Sequence, residues 1–138
     1  MTEAPQATPT ATTPIDADLV EARRKPLLYT AAALVVLLLG MLGMGIAIAS
    51  GNHGLRDAHA GIGYLSVLVG IVASVLAYRH GKARGNLGTF MHAVSLPVLM
   101  LVQIGLAEMD LAMVHISVGI VILVDAIALA TLSARRGK

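Results

Sequence analysis

Two histidines, His59 and His115, occupy the same position in a stretch of sequence that occurs twice. The stretches run from 59 to 82 and from 115 to 138, and at an offset of 56 residues they agree at seven of 24 positions. The agreement includes the histidine, a glycine four residues later and a shared Arg-x-Gly-Lys ending. An imidazole can ligate a metal ion, carry a proton or hydrogen-bond a neighbouring helix. We interpret the repeat as a duplicated helical hairpin that carries one histidine per copy.

The elements that must position these histidines are four long apolar runs. The chain has 138 residues, of which 57% are hydrophobic and 13% charged, and it has no cysteine. The runs cover about 27–50, 58–78, 87–107 and 111–133, and each exceeds the roughly 20 residues that span a bilayer as a helix. The fold class predicted is therefore an all-α integral membrane protein with four transmembrane helices, in a domain covering 27–138.

The segment before the first run, residues 1–26, is predicted to be a cytoplasmic tail. Its first 14 residues are rich in Thr, Ala and Pro, which is typical of a disordered segment. The charged stretch from Asp16 to Lys25 is compatible with a short interfacial helix. Pro26 fits the first turn of the helix that follows.

The basic residues predict the orientation of the chain. Nine of the ten lysines and arginines lie in 23–25, 79–84 and 135–138, and only Arg56 lies elsewhere. Because cytoplasmic loops are enriched in these residues, both termini are predicted to be cytoplasmic. The expected location is the plasma (inner) membrane as a multi-pass protein. The expected partner is the lipid bilayer and not nucleic acid, since the basic residues cluster at helix ends.

Short connections between the runs predict an up-down bundle in which the second and fourth helices are diagonal partners. His59 and His115 each lie 20 residues before a matching arginine, Arg79 or Arg135, so their depths agree. Gly63 and Gly119 lie one turn further along the same helix faces, above other small residues. Small residues let membrane helices pack closely, which is the simpler interpretation. They also leave room for a flat macrocycle, and two facing imidazoles can bind its iron.

We therefore predict one haem b per chain, with His59 and His115 as iron ligands and Gly63 and Gly119 beside them. Arg56 lies close before the first histidine and can pair with a haem propionate. The predicted role is one-electron transfer or haem handling beside a larger membrane redox complex, or within a homo-oligomer. The alternative is a cofactor-free small accessory subunit that stabilises such a complex, in which the histidines only hydrogen-bond between helices.

This pattern resembles one four-helix half of a heme A synthase and, more loosely, other di-histidine b-type membrane cytochromes. The resemblance covers 27–138 and implies haem ligation near the outer ends of the second and fourth helices, where His59 and His115 lie. The family's first outer loop is long and carries a catalytic glutamate, often with cysteines. Here residues 51–57 contain neither residue type, so oxidation of a haem methyl group is not expected.

Three further polar residues lie in or near the apolar runs. Asp125 lies ten residues inside His115, where a bare carboxylate is costly, so it should be neutral or partnered. Counting 1.5 Å per residue puts His92 within about a turn of it in depth. We predict a structural His92–Asp125 pair, with one step of a proton path as the alternative. His80 lies among basic residues and is expected to be solvated.

Overall fold

The computed structural model describes residues 16–135, and within them the chain is all-helical, with four long helices and no strand. The helices are α1 (Ala17–Ala49), α2 (Arg56–Arg84), α3 (Gly88–Glu108) and α4 (Ala112–Ala134), and a short 3-10 helix, His53–Leu55, precedes α2. Each of the four is long and apolar enough to cross a membrane. The prediction of an all-α chain with four such helices is confirmed for this part of the chain.

The N-terminal end of α1 differs from the expectation. Residues 17–26 are helical, in keeping with the short interfacial helix considered for this stretch, but they are continuous with the first apolar run. The Asp16 carboxylate caps the helix by accepting a hydrogen bond from the Leu19 amide at 3.1 Å. Pro26 consequently lies inside α1 and not in its first turn. Residues 1–15, which carry most of the predicted tail, lie outside the described residues.

The helices form a ring in which each packs against two others. α1 contacts α2 and α4, and α3 contacts the same two helices. No Cα of α2 lies within 8 Å of a Cα of α4, so these two are diagonal. Arg24 at the start of α1 donates a hydrogen bond to the Ser133 carbonyl at the end of α4 (3.1 Å), so these helices run in opposite directions.

The core of the bundle is confined to one half of its length. Fully buried residues lie near the start of α1 and the end of α4, on the later part of α2 and the earlier part of α3. No residue in 35–65 or in 101–121 is buried to the same degree. The half that contains the start of α1 is therefore tightly packed, and the half that contains the first turns of α2 and α4 is more open.

Candidate histidine site

His59 and His115 lie in the open half of the bundle, each near the start of its helix. Their ring centres are 6.3 Å apart and the ring planes are inclined at 47°. Both residues are partly buried. No Cα of α2 lies within 8 Å of a Cα of α4, so the two imidazoles meet across the diagonal of the bundle.

The His115 ring is held in place by α3. Its Nδ1 lies 3.1 Å from the backbone carbonyl oxygen of Gln103, and the Gln103 side-chain amide donates to the His115 carbonyl. When Nδ1 carries the proton and donates it to this carbonyl, Nε2 keeps a free lone pair. Metal-ligating histidines commonly have their second nitrogen bonded to a backbone carbonyl in this way.

The His59 ring is less well satisfied. Its Nδ1 is buried and makes no hydrogen bond. The ring also lies against Gly45, where an added Cβ would be 3.7 Å from the His59 Cε1. A buried imidazole nitrogen without a partner is uncommon, because the cost of removing it from water is not offset.

Gly63 and Gly119 each receive a side chain from the preceding helix of their own hairpin. A Cβ added at residue 63 would lie 3.4 Å from the Met41 Cε, and one added at residue 119 would lie 3.0 Å from the Gln103 Nε2. Both glycines therefore admit a neighbouring side chain. The space beside the histidine pair is partly occupied by two unbranched, flexible side chains.

Arg56, the first residue of α2, is exposed, and among the described residues it makes no ion pair. It stands three residues before His59, at the same end of the bundle. His53 lies in the exposed connection between α1 and α2. Within residues 16–135 no group of three or more His, Cys, Asp or Glu side chains could hold a metal ion.

A second polar cluster lies between α3 and α4, nearer the packed half. His92 Nε2 is 3.1 Å from an Asp125 carboxylate oxygen, and the Ser95 hydroxyl donates to the other oxygen at 2.8 Å. The Asp125 carboxylate and Ser95 line a groove of about 410 Å³ whose other walls are apolar. The structure thus brings His92 and Asp125 into contact, and it adds Ser95 as a hydrogen-bond donor to the carboxylate.

Two polar residues at the packed end were not anticipated. Arg24 is buried, with its guanidinium paired to Glu21 at 2.6 Å and bonded to the last carbonyls of α4. His80 is only 3% exposed, so the expectation that it is solvated is wrong. It is covered because the end of α2 packs against the first turns of α1.

Comparison with protein families, curated protein sequences and solved structures finds no match to this chain.

Proposed function

We propose that this chain is a multi-pass membrane protein that binds one haem b between His59 and His115 and serves in one-electron transfer or haem handling beside a redox partner. The observation that carries the proposal is the approach of two imidazoles from diagonal helices, with ring centres 6.3 Å apart.

The spacing of the rings suits two ligands of one iron. Imidazole–metal bonds are about 2 Å long, so two rings on opposite sides of one ion have centres roughly 6 Å apart. Two protein ligands are too few for zinc, which takes three or four in protein sites. They are sufficient for haem, since the macrocycle itself supplies four nitrogens to the iron.

The surroundings of the rings also suit a ligand role. The Gln103 carbonyl orients His115 so that its Nε2 points away from the backbone partner. The two histidines come from helices whose relative position is fixed by the packed half of the bundle. Iron ligated by two histidines has no open coordination position, and so exchanges electrons without binding oxygen.

Haem binding requires Met41 and Gln103 to move. Both side chains lie against the glycines that would border the macrocycle. The Met41 side chain is flexible and changes rotamer at low cost, whereas moving the Gln103 side chain also breaks its hydrogen bond to the His115 carbonyl. The half of the bundle that holds them has no fully buried residue in 35–65 or 101–121, so the helices there can accommodate the change.

Membrane insertion is supported by the surface of the bundle. Only 11% to 33% of the apolar window of each helix is buried inside the protein, so most of the apolar surface needs another apolar environment. Of the described basic residues, all but Arg56 lie at the packed end. We therefore propose that the packed end and both termini are cytoplasmic, and that the histidine pair lies in the outer half of the membrane.

A cofactor-free accessory subunit is the second candidate. The contacts of Met41 with Gly63 and of Gln103 with Gly119 favour it, since these side chains pack where the macrocycle would lie. In that case the histidine pair links α2 and α4, and the apolar exterior packs against a larger membrane complex.

The two candidates are separated by absorption spectroscopy. The full-length protein, purified after expression with sufficient haem, should show a reducible Soret and α-band spectrum at about one haem per chain. His59→Ala and His115→Ala should each abolish that spectrum, because one imidazole does not hold the iron in the same state. His53→Ala is the matched control, since His53 is exposed and lies outside the pair. A colourless protein, or haem retained in both single variants, contradicts the proposal.

A further inference from the structure

A small groove lies between α1 and α2 at the packed end of the bundle. It has a volume of about 100 Å³ and is lined by Ala22, Arg23, Pro26, Leu76 and Arg79. Two arginines and three apolar residues therefore line one depression. The histidine pair lies in the opposite half of the molecule and plays no part in it.

The two arginines of the groove differ from the neighbouring Arg24. Arg24 is neutralised by Glu21, whereas among the described residues no ion pair involves Arg23 or Arg79. The Arg23 Nη1 donates a hydrogen bond to the Arg79 backbone carbonyl at 2.8 Å. This bond fixes the Arg23 guanidinium beside α2 and leaves its other N–H groups available. The groove is consequently lined by two arginines that form no ion pair among the described residues, and the Arg23 guanidinium is held in place.

The floor of the groove leads onto an apolar path along the outside of the bundle. Pro26 stands at the start of the first apolar run and Leu76 near the inner end of the second. One turn further along the same faces lie Tyr29 and Val72, which are 70% and 51% exposed. A long apolar chain whose polar head occupies the groove can follow this path.

We propose that the groove binds an anionic phospholipid, with the phosphate between Arg23 and Arg79 and an acyl chain along Tyr29 and Val72. Arginine recognises phosphate oxygens through paired N–H donors. Basic pockets between membrane helices on the cytoplasmic side are suited to anionic headgroups. Lys25, Lys82 and Arg84 add positive charge around the same end and attract the lipid. The proposal rests on the membrane insertion proposed above and is independent of haem.

A lipid is favoured over a soluble phosphate because of the position of the groove. Its floor is apolar, and it opens where the charged ends of α1 and α2 meet their apolar runs. A headgroup phosphate reaches this level while its acyl chains stay in hydrocarbon. A free phosphate can bind the two arginines, but it does not cover the apolar path.

The test measures lipid binding to the full-length protein in detergent by native mass spectrometry. Phosphatidylglycerol and phosphatidylcholine with identical acyl chains are titrated separately, and the Kd of the first bound lipid is compared. Arg23→Gln combined with Arg79→Gln should weaken phosphatidylglycerol binding by about tenfold or more, as expected for lost charge-assisted hydrogen bonds. Phosphatidylcholine binding should change little.

The matched control is Lys25→Gln combined with Lys82→Gln, which removes the same charge from exposed residues that do not line the groove. We expect less than about a twofold change there, and helix content measured by circular dichroism should be equal in both double variants. An equal loss in the control, or no loss in the arginine variant, overturns the proposal. Displacement of the lipid by millimolar inorganic phosphate would also overturn it. A colourless protein that keeps its preference for phosphatidylglycerol would contradict the haem proposal alone.

Discussion

At the residue scale, the cluster of His92, Ser95 and Asp125 shows how an acidic side chain is kept inside an apolar bundle. The carboxylate has a partner at each oxygen, one from the imidazole and one from the serine hydroxyl. Hydrogen bonds of this kind between membrane helices contribute about 0.6 kcal/mol on average and up to about 1.7 kcal/mol. The cluster therefore links α3 to α4 with modest energy, while it lowers the cost of burying the carboxylate.

Substitutions at Asp125 separate a structural role from a proton path. Asp125→Leu should lower the free energy of unfolding by about 1–2 kcal/mol, since both hydrogen bonds are lost. Asp125→Asn keeps an acceptor for Ser95 and should cost less than about 1 kcal/mol. Thr131→Val is the control, because the Thr131 hydroxyl bonds only within α4. The measurement is reversible unfolding in mixed detergent, and an Asp125→Leu variant as stable as the parent contradicts the structural role. A change in redox-linked proton uptake by Asp125→Asn at unchanged stability favours the proton path.

Residue positions along a helix were predictable from the sequence, but their surroundings were not. Depth follows from sequence position at 1.5 Å per residue, and this places His92 near Asp125 and His59 level with His115. The burial of His80 depends on which helix end covers it, and its nearest neighbours in sequence are mostly basic or small residues. The side chains that enter the space beside Gly63 and Gly119 likewise depend on helix rotation, which the sequence does not reveal.

At the element scale, α2 and α3 are joined by a short connection, residues 85–87, that packs closely against the end of α2. Gly81 lies so close to this connection that an added Cβ would be 2.6 Å from the Asn86 backbone oxygen. Gly85 ends α2 with a φ of +66°, a conformation that glycine adopts without strain. Gly81 and Gly85 thus allow the chain to turn sharply after α2 and to pack against the last turn of that helix.

Gly81→Ala should therefore destabilise the bundle by about 1–3 kcal/mol, because the contact is with backbone and the loop must shift. Gly40→Ala is the matched control, as nothing lies within 4 Å of the Cβ added there. Alanine is the better helix former, so that control should be neutral or more stable by up to about 1 kcal/mol. Thermal unfolding of both variants in one detergent gives the comparison. If the Gly81→Ala and Gly40→Ala variants are equally stable, the loop shifts without an energetic cost and the prediction is wrong.

The helices themselves were predictable because each apolar run needs a helix to satisfy its backbone in hydrocarbon. The continuity of residues 17–26 with the first apolar run was not predictable, since this segment contains charged residues and ends at Pro26, a residue that normally ends a helical pattern. The capping bond of Asp16 and the contacts of Arg23 and Arg24 with the ends of α2 and α4 keep this segment helical. These contacts join segments that are far apart in sequence.

At the scale of the whole molecule, the two ends of the bundle have opposite properties. The packed end carries the buried core and most of the described basic residues. The other end carries the histidine pair, Arg56 and the acidic residues Asp57, Glu108 and Asp110. The packed half can hold α2 and α4 in position while the open half adjusts around a bound group. Both the haem proposal and the lipid proposal depend on this difference between the two ends of the bundle.

The orientation can be measured directly because the chain has no cysteine. Asn52→Cys and Asn86→Cys introduce the same change at exposed positions in the connections on opposite ends of the bundle. In spheroplasts of an expressing bacterium, a membrane-impermeant maleimide should label residue 52 and leave residue 86 unlabelled, since the basic end is retained in the cytoplasm. After permeabilisation both variants should react, which controls for access. Labelling of residue 86 in intact spheroplasts would place Arg23 and Arg79 in the outer leaflet and the histidine pair near the cytoplasm, so a redox partner would have to approach from the other side.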